Sequence, residues 1–189
     1  MAGSRYGSAE DLRLLRTIRL DPSDRFVFPV AAVPGEWAVS GTFMFSEDEL
    51  AMLDGKRRAA FRSGFLGIPS LGWSTLAQIV SVGPHDRAAA VEMLTRCLQD
   101  RFGAPDLAAA RTAAEMEFEF AGSLCSQSPG TLIGLQRHFE NDAIRESFRV
   151  LSRRTGAAPL QGFSVLEAEE LDEGEAPDGS AAPESGGRG

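Results

Sequence analysis

The stretch Thr131-Leu-Ile-Gly-Leu-Gln-Arg-His-Phe-Glu-Asn-Asp-Ala-Ile-Arg-Glu-Ser-Phe-Arg-Val-Leu151 decides the fold. Asn141-Asp142 supplies good hairpin-turn chemistry, and Ile144, Phe148 and Val150 then share one strand face. Ile144, Phe148 and Leu151 also fit a helical stripe, but the turn favours strands over 131–139 and 143–151. Strands joined by so short a connection pair antiparallel.

Working upstream, Glu115-Met-Glu-Phe-Glu-Phe120 alternates strictly. That pattern predicts a strand over Ala114–Leu124, completing a C-terminal three-strand meander. On such a strand Glu115, Glu117 and Glu119 share the solvated face, within reach of Arg137, Arg145 and Arg149 across the ladder. Before it, Gly83-Pro84 opens a helix to Phe102, with Ala88, Val91, Leu94, Leu98 and Phe102 on one face. Gly103 is a natural stop, and Pro105 suits the first position of a short Ala-rich helix ending near Ala114. Trp73–Val82 is apolar and β-branched enough for a central strand.

The N-terminal part predicts a second meander. Its strands are the alternating stretch from Leu14 to Leu20, the short run Phe26–Val30, and Trp37–Phe45. Asp21-Pro22-Ser23-Asp24 and Pro34-Gly35 provide the turns. Ser46 with Glu49 has the spacing of a capping box before a helix bearing Leu50 and Leu53, which Gly55 interrupts. The sequence thus predicts an α+β fold: a mainly antiparallel sheet of two three-strand meanders, with two to three helices packed on it.

Of the 189 residues, 43% are hydrophobic, enough for a sizeable core. The net charge of −8 is uneven. Residues 167–189 hold eight acids and one Arg, a net of −7, so residues 1–166 carry −8 − (−7) = −1. A near-neutral body lacks the basic footprint of a nucleic-acid binder. Residues 1–11 read as a flexible end, 12–166 as one domain, and 167–189 as a disordered acidic tail with Leu171 its only large apolar residue. No apolar run approaches the ~18 residues of a membrane span, and residues 1–11 contain no apolar leader core. With two unpatterned cysteines as well, a soluble cytoplasmic protein is expected.

The most distinctive motif is Gly64-Phe-Leu-Gly-Ile-Pro-Ser-Leu-Gly-Trp-Ser-Thr75. Gly67 to Ser74 nearly fits a phosphate loop, but Trp73 replaces the Lys that meets the phosphates, and the segment leads into a strand. Ser70 nearly fits a nucleophile elbow, but Ile68 stands where the first Gly belongs. A tight connection passing close to the sheet explains the glycines as well. If the chain binds a ligand, the candidates are Gly67, Ser70, Gly72 and Ser74, with His85 at the following helix start. Two His at positions 85 and 138 give no metal spacing, and no cofactor motif is present. A hairpin near 127–130 sets Cys125 opposite about 132 rather than His138, which disfavours a Cys–His pair. Cys97 reads as a small core residue.

The runs Glu36–Phe45, Gly64–Thr75 and Ile144–Arg149 resemble a family of short bacterial proteins defined only as a domain of unknown function. The resemblance covers roughly 12–151 and implies a stand-alone bacterial domain, with no activity or catalytic residue to transfer. The functional expectation is a non-catalytic accessory module that binds another protein, or itself as a homodimer through sheet edges, and neither nucleic acid nor membrane. The alternative is a small ligand-binding protein or enzyme built on loop 64–75.

Overall fold

The computed structural model describes residues 12–141, 143–153 and 166–171. Its framework is a sheet whose paired strands all run antiparallel: β1 (Arg13–Ile18), β2 (Trp37–Val39), β3 (Phe65–Ile68), β4 (Trp73–Ser74), β5 (Leu76–Ser81), β6 (Leu132–Glu140), β7 (Ala143–Arg153) and β8 (Leu166–Leu171). Their spatial order is β4-β3-β2-β1-β5-β6-β7-β8. Each half is a meander, and the halves meet where β1 pairs β5 from Arg13↔Ser81 to Ile18↔Leu76. The sheet curls into a half-barrel, tightly enough that a single residue, Thr75, carries the chain from edge strand β4 to central strand β5. Ser74 seals that corner by donating to the carbonyls of Ile18 (2.9 Å) and Leu76 (2.8 Å).

Among the described residues five α-helices accompany the sheet: α1 (Asp24–Val27), α2 (Glu47–Leu50), α3 (Gly55–Ser63), α4 (Pro84–Phe102) and α5 (Leu107–Ser123). The α+β class is as the sequence predicts, and so is the β6–β7 hairpin, with Glu140 opposite Ala143 and Asn141 at φ 51°. Helix α4 begins and ends as expected. The Asp86 carboxylate accepts from the Gly83 N–H, and Gly103 (φ 66°) stops the helix. Its buried face is Ala90, Val91, Leu94, Thr95 and Leu98, while Ala88 is exposed and Phe102 partly so. It packs chiefly on α5, and α5 lies against β1 and β2.

Several local expectations are overturned. Ala114–Leu124 is not a strand, because α5 continues through it to Ser123. The alternation at 115–120 is set among Ala, Glu and Met, all good helix formers, and Asp106 caps the helix by accepting from the Ala109 N–H at 2.8 Å. The buried stripe is Ala110, Ala114, Glu117, Phe118 and Ala121, at helical spacing, while Met116 is exposed. The proposed ladder pairing of Glu115, Glu117 and Glu119 with the arginines of the last two strands therefore does not form. Glu115 pairs instead with Arg111 one helical turn away, at 3.1 Å.

Residues 26–30 are not a strand either. The Ser23 N–H donates to Asp21, α1 follows, and Phe28 turns into the core while Phe26 and Val30 stay outside. The strand expected over 37–45 ends at Val39, because Gly41 (φ 77°) breaks it ahead of a 3-10 turn at Thr42–Met44. Its side is tight as well, since a Cβ on Gly41 would stand 2.5 Å from that of Leu66. Ser46 precedes α2 without capping it through its side chain, and the helix restarts as α3 behind Asp54, which accepts from the Arg57 N–H. Strand β8 occupies Leu166–Leu171, at the junction between the expected domain and its tail, and pairs with β7 from Phe148↔Leu171 to Arg153↔Leu166. Residues 1–11, the stretch 160–165 and residues 172–189, on which other expectations fall, lie outside the described residues.

Candidate functional site

Segment 64–75 holds β3, β4 and the turn at 69–72 between them, and the hydroxyls of Ser70, Ser74 and Thr75 are all engaged within the fold. The Glu36 carboxylate accepts from the Ser70 hydroxyl (2.6 Å), the Ser70 N–H (3.1 Å) and the Val33 N–H (3.0 Å). The Ser70 oxygen in turn accepts from the Gly72 N–H at 3.0 Å. None of Gly64, Gly67 and Gly72 has positive φ, so close approach is their reason. A Cβ on Gly72 would stand 2.6 Å from the Ala31 backbone, and one on Gly67 2.6 Å from Glu36 Oε2. The structure thus joins Gly67, Ser70 and Gly72 in one clasp and places Ser74 at the adjacent corner. His85 sits exposed in the first turn of α4, outside the loop's hydrogen bonds. Cys125 is buried and donates to the Ala121 carbonyl, and burial pushes its thiol up to about 12, so it stays protonated and unreactive near neutrality.

A second polar cluster lies inside the core. Arg137 on β6 and Glu146 on β7 are cross-strand partners with fully buried side chains, Nε to Oε1 at 2.6 Å. Nη1 of Arg137 donates to the carbonyls of Phe61 (2.8 Å), Gly64 (3.1 Å) and Ala60 (3.3 Å), which gather at the C-terminus of α3. There the guanidinium complements the negative end of the helix. Nη2 donates to the Ser40 carbonyl, and the hydroxyls of Ser40 and Thr42 both donate to Glu146 Oε1. Glu117 enters the same cluster from α5. Burial pushes its carboxyl up to about 7, and the charge of Glu146 adds in that direction, only partly offset by Arg137 and the Gly41 N–H. One oxygen on each acid, Oε2, has no hydrogen-bond partner among the described residues. This cluster clamps helix α3, the turn after β2 and the β6–β7 hairpin together. Sequence reasoning missed it, although parity marked it. Ile133, Leu135 and Arg137 alternate onto one face of β6, as Ile144, Glu146 and Phe148 do on β7, and the turn at 141–142 fixes 137 opposite 146.

The open feature is on the surface. A cleft of about 570 Å³ is lined by Arg19, Arg25, Ala31, Val33 and Pro34. Leu20, Phe26, Val27, Val30 and Val33, all exposed, belong to the same stretch of chain, and Phe26 is 73% exposed. Arg19 donates to the Ala32 carbonyl while its Nε is buried without a partner, and Arg25 makes no ion pair among the described residues. A smaller cleft of about 250 Å³ lies at Glu49, Met52 and Arg57, but there the arginine is already paired with Glu49 at 3.4 Å. Among the described residues no group of three His, Cys, Asp or Glu side chains converges as a metal-ligand set, and no helix is long and apolar enough to cross a membrane.

These features define an α+β protein: an antiparallel half-barrel backed by a helical hairpin, with its polar loop closed on itself and an arginine-lined apolar cleft on its surface. Residues 12–169 match the model of a family of unknown function, DUF6505, and the chain belongs to that family. The expected resemblance to a family of unknown function is thus correct, and the match runs on through most of β8. No curated protein and no solved structure matches the chain.

Proposed function

We propose that this protein is a non-catalytic module that binds another protein through residues 19–34. The observation that carries this reading is the group of five large apolar side chains left exposed there, Leu20, Phe26, Val27, Val30 and Val33. Several large apolar side chains left exposed in one stretch of chain, with a cleft among the same residues, are the kind of feature that marks interaction sites. Leaving it in water forgoes about 25 cal/mol for each Å² that a partner would bury. The rival reading, a ligand site at loop 64–75, is weakened because Ser70 and Ser74 already serve the fold. An edge-to-edge homodimer would have to use β8. The β4 edge is covered by residues 30–32, with Ala32 N–H on the Trp73 carbonyl and Trp73 N–H on that of Val30, both through the backbone.

The test is paired affinity capture from the native host with the full chain and with Phe26→Ser/Val30→Ser, both checked for equal melting temperature. Proteins retained by the parent and lost by the variant are the expected result. Identical retained sets would contradict the proposal.

A further inference from the structure

The partner's chemistry is written into the cleft, and we infer that it is a protein segment combining carboxylates with a large apolar side chain. This inference rests on the binding reading above. Arg19 and Arg25 both line the cleft, and neither forms an ion pair among the described residues. Arg19 already donates to the Ala32 carbonyl and its Nε is sealed from solvent, so exposed Arg25 is the readier donor to a partner. Arg16 donates to the carbonyl of Gly35, the residue after Pro34 of the lining, while its guanidinium stacks 3.6 Å from the Trp37 ring centroid. The acids nearest in sequence are engaged: Asp24 is buried and accepts from the Thr75 hydroxyl at 2.6 Å, Asp21 accepts from the Ser23 N–H at 2.7 Å, and Glu36 holds Ser70. The cleft therefore offers guanidinium donors that no carboxylate among the described residues fills, on a body whose overall charge is near zero. Planar guanidiniums suit carboxylates, which accept two parallel N–H bonds.

The rim adds the second requirement. Exposed Phe26, next in sequence to Arg25, and exposed Val30, next to Ala31 of the lining, call for apolar cover that a bare anion cannot give. The chain's own residues 172–189 are acidic but hold no large apolar residue, so they match the cleft and not its rim. An acidic segment bearing Leu, Ile or Phe matches both, its apolar residue anchoring and its carboxylates setting register.

The experiment is to pan a phage-displayed random peptide library on the immobilised full chain, then measure the enriched peptides by fluorescence anisotropy. Enriched peptides are expected to carry at least two acids around a large apolar residue. Exposed Arg25→Glu and Phe26→Ser, each verified by an unchanged melting curve, are each expected to weaken binding about tenfold or more. Exchanging the peptide's acids for Lys should abolish binding to the parent. Peptides without acids, or binding that Phe26→Ser abolishes and Arg25→Glu leaves intact, would overturn the acidic partner while sparing the binding surface. Binding untouched by either variant, or no enrichment, would sink both. Enrichment seen only after removal of 172–189 would assign the cleft to the chain's own end and overturn the inference.

Discussion

Replacing Glu117 with Gln should stabilise the protein at alkaline pH and flatten its stability between pH 5 and 8. The buried cluster already holds one balanced pair, Arg137 with Glu146, so a second ionised carboxyl there is an unbalanced charge in a low-dielectric core. Burial, reinforced by Glu146, raises the Glu117 carboxyl from 4.5 to about 7. At about 1.36 kcal/mol per unit, the whole effect is roughly 3 kcal/mol. The sign follows from proton binding. The folded state holds this proton more tightly than the unfolded chain, so the contribution is complete below pH 4.5 and is lost as pH rises through about 7. Between pH 5 and 8 the parent should therefore lose roughly 2–3 kcal/mol through this group. Gln keeps the shape of the protonated acid and cannot ionise. Urea unfolding of both proteins from pH 5 to 8.5 measures the difference, and contributions common to the two proteins cancel in it. Parallel stability curves for the two proteins would refute a protonated Glu117.

Other substitutions test other parts of the fold. Leu94 is fully buried on α4, so Leu94→Ala should cost ~2–5 kcal/mol in urea unfolding, and a neutral outcome would mean that the α4–α5 contact is misassigned. Ser70→Ala removes a hydroxyl that both donates to the Glu36 carboxylate and accepts from Gly72, so a loss of roughly 1.5–3 kcal/mol is expected. That exceeds what an uncommitted turn serine would give, and an unchanged midpoint would argue against the clasp. Truncation after Arg153 removes the β7–β8 ladder and should lower the melting temperature further than truncation after Leu171, whereas equal melting temperatures would show β8 to contribute nothing.

The β6–β7 hairpin was legible because turn chemistry and period-2 burial agree there. Helix α4 was legible because apolar spacing, an opening Gly-Pro and a closing Gly agree. The helix α5 was misread because six alternating residues suggested a strand while the Ala-rich run before them, read only as far as Ala114, belongs to the same helix. In such a conflict the longer element wins, since it buries a continuous stripe against the sheet and the neighbouring helix. The fate of 26–30 was not legible, because a short apolar run looks the same whether it pairs in a sheet or lies exposed. That ambiguity concealed the candidate surface: Phe26 and Val30 were assigned to a strand when they face solvent. The glycine loop was legible as a tight connection, but not the identity of its clasp, Glu36, which lies far from Ser70 in sequence.

The central claim, a protein-binding surface at residues 19–34, is tested most directly by photocrosslinking in the native host. A benzophenone amino acid placed at position 26 should yield a discrete crosslinked species. The same group at exposed Met116 on α5 should yield none of it. A crosslinking pattern identical at the two positions, or none at position 26 with the protein at native abundance, would contradict the account.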